Sequence, residues 1–311
     1  MTVRYTDTPH NMAEISAYVI TEKTNIISEI LSKPMCYFYD TCSFRRHASL
    51  SPANVGHLLQ YIKRQNGIIV ITRCILMELA SHSGILNREY VKYIKLIHQA
   101  GIPVLVLYEE DIFSVMEICF STNTAINEYL CWAVRTIKGP VSTITETLEQ
   151  SSRINNEVIK GRNLDNSGVY QRFFQAVRAN KTSGDNLGEE LLAVCLHILS
   201  HMPGEADGKF CIITDDKGAA SKLDIMFKKT TEQHRGKSVG IFSTPKLVQI
   251  LYREGMLNHN GSIKEFLSIN TSDTLVVLGT LLYDIRSREI SLTRDELADL
   301  IIQPNGINIV F

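Results

Sequence analysis

Short apolar runs recur along this chain at Met35–Tyr39, Ile68–Ile71, Ile102–Leu107, within Lys209–Thr214 and at Val239–Phe242. Each is too short for a helix and rich in β-branched or aromatic residues, so each reads as a buried strand. Helical spacing fills the intervals. Val55, Leu58, Leu59 and Ile62 share a face behind the start signal Ser51-Pro52, and Gly67 stops that helix. A helix follows the second strand from about Arg73, and Tyr90, Val91, Ile94 and Ile97 form one face over 88–99, ended by Gly101. Residues 12–31 suggest an amphipathic helix or a broken pair that ends before Pro34. Residues 187–201 read as a strongly apolar helix, and Pro245 opens another that runs to about Glu254. Unbroken apolar strands alternating with helices predict an α/β fold: three α/β/α layers around a roughly five-stranded parallel sheet.

Two regions stand outside that alternation. Residues 108–182 show helical periodicity (Ile112, Val115, Met116, Cys119; then Leu130, Val134, Ile137), polar breaks over 151–168 and no strand signal. They are expected to form a helical insertion over a sheet edge or the active face. The tail from 258 predicts a short helix over 262–268, an apolar helix over 273–283, the pair Ile290-Ser291-Leu292, and a helix over 293–302 that opens on the capping box Thr293…Glu296. The expected organisation is therefore one domain over 1–257, carrying the insertion, with an accessory α or α+β segment over 258–311.

Composition narrows the class. Of 311 residues, 44% are hydrophobic and 21% charged, which supplies an ample core. No apolar stretch approaches the roughly 20 residues a membrane span needs. The opening Met1–Met12 is polar, with no apolar signal segment. Seven cysteines without a CxxC pair, several in apolar runs (Cys36, Cys74, Cys195, Cys211), suggest buried thiols in a reducing cytoplasm. A net charge of −1 argues against strong generic nucleic-acid binding, but leaves room for a nuclease whose acidic site lowers the total. It also suggests a homo-oligomer or protein partner that supplies part of a substrate surface.

The candidate chemistry lies in carboxylates that recur in one local setting. Asp40 ends the first strand, Glu78 sits in Ile75-Leu76-Met77-Glu78-Leu79, Glu189 opens the helix Gly188-Glu189-Glu190-Leu191, and Asp215-Asp216 end the fourth strand. Singly, each has a plain reading: Asp40 as a helix N-cap, Glu78 as a solvated helix residue, Glu189 as a complement to the helix dipole. Glu190 is the alternative to Glu189, and Asp185 reads as that helix's N-cap or a further ligand. Together, at the C-terminal ends of parallel strands, they converge where open α/β sheets bind ligands. Converging carboxylates are costly to bury unless a cation neutralises them. Oxygen ligands favour Mg²⁺ or Mn²⁺, whose usual chemistry in such a site is phosphodiester hydrolysis by an activated water. Thr41, Ser43, Thr214 and Asp185 would orient the carboxylates, and Arg45, Arg46 and Lys217 would hold phosphates. His47, His197 and His201 read as ordinary core or surface residues, with no zinc spacing.

Competing acidic folds fail on spacing. A haloacid-dehalogenase phosphatase wants a second Asp two residues after the nucleophile, where Cys42 stands. A response-regulator receiver wants an acidic pair before its first Asp-bearing strand and a lone Lys after its last, and neither is clear here. A dinucleotide site wants GxGxxG after the first strand, and Asp40–Ala48 contains no glycine. A P-loop is likewise absent. The arrangement resembles the PIN domain family of metal-dependent nucleases, through Tyr39-Asp40-Thr41-Cys42-Ser43, Ile75-Leu76-Met77-Glu78-Leu79, Gly188-Glu189, Thr214-Asp215-Asp216-Lys217-Gly218-Ala219 and Ser243-Thr244-Pro245-Lys246-Leu247. The resemblance covers about 35–107 and 183–255. It implies a five-stranded parallel sheet and an Mg²⁺- or Mn²⁺-dependent endonuclease acting on RNA, with DNA the second choice. Two alternatives stand beside it: a non-catalytic scaffold of the same fold that binds RNA or a protein partner, and an acidic site for another phosphoryl substrate such as a nucleotide.

Overall fold

A computed structural model describes residues 5–139, 142–268 and 274–311. The first four residues of the polar N-terminal stretch therefore lie outside the described residues. The chain opens with a helical turn at Met12–Glu14 and the helix α1 (Lys23–Ser32). Of the two readings of 12–31, the broken one holds. Between the two pieces Ile20 bridges Leu105 in parallel.

The central sheet holds β1 (Met35–Tyr39), β2 (Gly67–Thr72), β3 (Val104–Leu107), β4 (Phe210–Ile213) and β5 (Gly240–Phe242). All pairings are parallel, in the order β3-β2-β1-β4-β5. The strands β1 to β4 are buried almost throughout, as unbroken apolar runs require when helices cover both faces. The helices α2 (Thr41–Ala48) and α3 (Pro52–Arg64) join β1 to β2, and α4 (Arg73–Ala80) and α5 (Arg88–Gln99) join β2 to β3. The pattern of apolar positions singled out neither α2 nor the later helix over Lys217–His234, because both carry mixed polar and apolar sequence. Chain order along the sheet reverses at β1, whose neighbours are β2 and β4. The crevice beyond the C-terminal ends of β1 and β4 is thus the switch point where such sheets bind ligands.

Residues 108–182 are helical, with no strand among the described residues. They contain α6 (Ile112–Glu117), α7 (Asn123–Ile137), α8 (Thr143–Gln150), α9 (Ser152–Ile154) continuing into a π-turn at Asn155–Ile159, and α10 (Val169–Ala179). A buried ion-pair network holds this insertion together and fastens it to α4. Arg178 at the end of α10 reaches Glu109 at 2.5 Å and Glu110 at 2.6 Å, and Glu109 in turn accepts the Cys74 amide at 2.8 Å. Both Arg178 and Glu109 are sealed from water, so each charge is held by the other. Next comes α11 (Leu187–Leu199), apolar around its whole circumference apart from its first turn, as a helix buried on all sides must be. It packs against α4, α7 and β4, and against α12 (Lys217–His234).

After β5, α13 (Thr244–Arg253) packs on α3 and leads to α14 (Asn260–Ser268), as expected near 262–268. The expected helix over 273–283 is overturned: β6 (Thr274–Leu281) is a strand, paired antiparallel with β7 (Arg288–Thr293) and with β8 (Ile307–Ile309). Thr274, Val276 and Val277 are β-branched, and burial alternates along the strand rather than following a helical stripe. The capping box is present at the start of α15 (Arg294–Ile302). Gln249 of α13 ties the tail down by donating to the Ile307 carbonyl at 2.7 Å and accepting the Ile309 amide at 3.1 Å. No helix among the described residues is long and apolar enough to cross a membrane.

Candidate active site at the ends of the central strands

The Asp40 carboxylate sits at the end of β1, 2% exposed. It accepts the Thr41 amide at 2.6 Å, the Thr214 hydroxyl at 3.2 Å and the Cys42 thiol. Thr41 and Thr214 thus orient it, as the sequence suggested for both. Burial raises its pKa; the Cys42 hydrogen bond pulls it back, and the Glu78 charge pushes it up again.

Glu78, on α4, faces the same cleft. It takes the Thr41 hydroxyl, the Gly188 amide at 3.1 Å and the Lys181 ammonium at 2.9 Å. Gly188 allows that approach: a Cβ there would stand 2.7 Å from both Glu78 carboxylate oxygens. Lys181 lies just past α10, 2% exposed at its side chain, between Glu78 and Asp185. Burial alone would lower the Lys181 pKa, but Glu78 and Asp185 outweigh it and the net shift is upward. Asp185 accepts the Thr182 amide, the Thr143 hydroxyl and the Leu187 amide. Burial pushes its pKa up, and Lys181 and these donors bring it below the usual value. The N-cap position of α11 belongs to Asn186, so Asp185 acts one residue earlier, pinning the loop before the helix rather than capping it.

The two adjacent glutamates of α11 diverge. Glu189 looks toward the acidic cleft: burial, then the charges of Asp40, Asp216 and Glu78, push its pKa up to about 8 against a smaller pull from Lys222. Glu190 turns toward Asp185, and burial and that charge bring it to about 7. A cleft of about 390 Å³ is lined by Asp40, Thr41, Arg45, Glu78, Lys181, Asp185 and Glu189. Arg45 spends its guanidinium on the Glu78 carbonyl at 2.7 Å.

Asp215 and Asp216 also divide. The Asp215 carboxylate is saturated: it accepts the Thr244 amide and hydroxyl, both at 2.6 Å, the Ser43 hydroxyl at 3.0 Å, and an ion pair from Arg46 at 3.3 Å. Behind it runs a buried chain. Thr244 donates to Asp215, so it accepts from His47 at 3.0 Å, and the other His47 ring nitrogen accepts from the Tyr39 hydroxyl at 2.9 Å. Burial drives the His47 pKa to about 4, only partly countered by Asp215. Asp215, Ser43 and Arg46 therefore form a strut joining β4, α2 and α13. Asp216 caps α12 through the Ala219 amide at 2.9 Å and is the member of the pair whose charge reaches Glu189. Lys217 and Arg46 line a separate cavity of about 350 Å³ against β6, together with Asp215 and Asp216.

The structure therefore gathers Asp40, Glu78 and Glu189 around one cleft, leaves Asp216 in the adjoining cavity with its charge acting on Glu189, and ties Asp215 off beside it. Among the described residues, no three His, Cys, Asp or Glu side chains close to metal-ligating distances as they stand. The donors are nonetheless hard oxygens, and burial first, then the charge of neighbouring carboxylates, raises the pKa values of both Asp40 and Glu189. That donor chemistry fits a divalent cation of the Mg²⁺ or Mn²⁺ kind. Sequence reasoning missed Lys181 and Gly188, since each acquires its role only by contact with Glu78, about a hundred residues away in sequence. Comparisons with protein-family models, with curated proteins and with solved structures find no match to this chain.

Proposed function

We propose that the chain is a metal-dependent endonuclease of PIN type, with RNA as its preferred substrate over DNA. The observation that carries the reading is the convergence of Asp40, Glu78 and Glu189 on one cleft at the sheet's switch point, where burial and then the charges of Asp40, Asp216 and Glu78 push the Glu189 pKa up to about 8. Acids held this close are protonated or neutralised by a cation. Asp40, Glu189 and Asp216 would hold Mg²⁺ or Mn²⁺, with Glu78 joining them on release from Lys181. The ion, when bound, activates water and stabilises charge at phosphorus. Thr41 and Thr214 hold Asp40 in one orientation, and the Gly188 amide holds Glu78 beside it. Lys222, in the adjoining cavity, would supply positive charge for a substrate phosphate, and Lys181 would join it on release from Glu78. The seven cysteines are all free thiols, which supports a cytoplasmic setting.

A second reading has its own observation. Lys181 already sits on Glu78, and an ammonium there neutralises an acid without a metal. That favours a non-catalytic scaffold of the same fold, binding RNA or a protein partner. Cleavage assays on single-stranded RNA, structured RNA, DNA and nucleotides, with Mn²⁺ and with chelator, separate the two. Metal-dependent cutting by the wild type that disappears in Asp40→Asn, with the variant still folded, supports the nuclease. Full activity in Asp40→Asn, or chelator-insensitive function, overturns it.

A further inference from the structure

Glu189 and Asn186 are walls of two cavities, not one. On one side lies the acidic cleft; on the other is a cavity of about 490 Å³ between the C-terminal end of α7 and one face of α12. Its walls are Ile137, Leu223, Ile225 and Met226, with Lys222 and Lys229 beside them. Leu223 and Met226 are buried, whereas Ile225 is 54% exposed, a large apolar side chain held in water beside charged groups. Lys222 and Lys229 stand seven residues apart, two turns along the same helix face. Lys222 lines this second cavity together with Glu189 and Glu190, and its charge lowers the pKa of both.

We propose that this second cavity seats one unstacked nucleobase of the substrate, the base next to the phosphate brought to Asp40 and Glu189. The inference rests on the nuclease reading and adds to it a base subsite built from the insertion helix α7. A flat base matches apolar walls, and proteins that seat an extruded base hold it between aromatic or apolar side chains. Lys222 and Lys229 match the phosphates on either side of that base. Glu189, between the cavities, fixes where the chain would be cut relative to the seated base. A base enters from a single strand at little cost, whereas a duplex must first break a pair and a stack.

The test is fluorescence anisotropy with a short fluorescein-labelled single-stranded RNA, in chelator so that no cutting occurs. The proteins are the wild type, Ile225→Asp, and Ile118→Asp as a control at another exposed isoleucine. Ile225→Asp is expected to weaken binding about ten-fold or more, with thermal unfolding unchanged, while Ile118→Asp binds as the wild type does. A set of RNAs with one abasic residue each should show the same loss at a single position. Binding by Ile225→Asp within two-fold of wild type, no binding by the wild type, or equal loss in Ile118→Asp overturns the subsite. The two readings fail separately. Binding that depends on Ile225 with no Mn²⁺-dependent cutting removes the nuclease and leaves the base site. Cutting by Ile225→Asp with an unchanged KM removes the base site and leaves the nuclease.

Discussion

Replacing Glu189 by glutamine should make the metal-free protein more stable at alkaline pH. The carboxyl titrates at about 8 in the fold, against 4.5 for the free side chain. A carboxyl whose pKa is raised by folding favours the native state in its neutral form. Its contribution is complete below pH 4.5 and is lost as pH rises toward 8. That gap corresponds to about 5 kcal/mol at about 1.4 kcal/mol per pH unit. Solvent screening of this partly buried group brings the figure to about 2–3 kcal/mol. Glu189→Gln carries no such penalty. In urea unfolding with chelator, wild type and variant should match near pH 5, and the variant should gain about 2–3 kcal/mol by pH 8. Saturating Mn²⁺ should reverse the order, because ligand binding to the native state stabilises the wild type and the variant has lost a ligand. Equal stabilities at pH 8 in chelator, with no response to Mn²⁺ in either protein, would refute the reasoning.

Four further outcomes follow from the same geometry. Asp215→Asn should lose about 2–3 kcal/mol of stability, since it weakens an ion pair and charge-assisted bonds in a buried strut; Asp216→Asn should be near neutral in stability yet weaken Mn²⁺ binding, as calorimetric titration would read. Gly188→Ala pushes the Glu78 carboxylate aside, and that flexible end can move. Stability should stay within about 1 kcal/mol while Mn²⁺ affinity falls about ten-fold. Arg178→Met should cost about 3–5 kcal/mol in chemical unfolding, because Glu109 is left charged and buried.

The sheet was readable because strands covered on both faces must be unbroken apolar runs, and nothing else of that length satisfies the backbone in such a core. The tail was misread for the same reason. Thr274–Leu281 is an apolar run whose period of two is visible only once one side is packed. At the site, the acids at strand ends could be placed in sequence, but neighbours could not be told apart. Adjacent residues leaving a strand point different ways, so Asp215 went to the strut and Asp216 to the cap of α12, with its charge acting on Glu189. Adjacent residues on a helix stand roughly 100° apart, and that turn separates Glu189 from Glu190. Lys181 left no local signal, because its meaning depends on Arg178 holding the end of α10 against Glu109.

The most direct measurement is Mn²⁺ binding followed by electron paramagnetic resonance on the wild type, Asp40→Asn and Glu189→Gln at pH 7.5. Saturable loss of the free-ion signal in the wild type, sharply weakened in both variants, is the expected result. A wild type that takes up no Mn²⁺, or variants that bind it equally well, would contradict the claim that these two acids share a divalent cation.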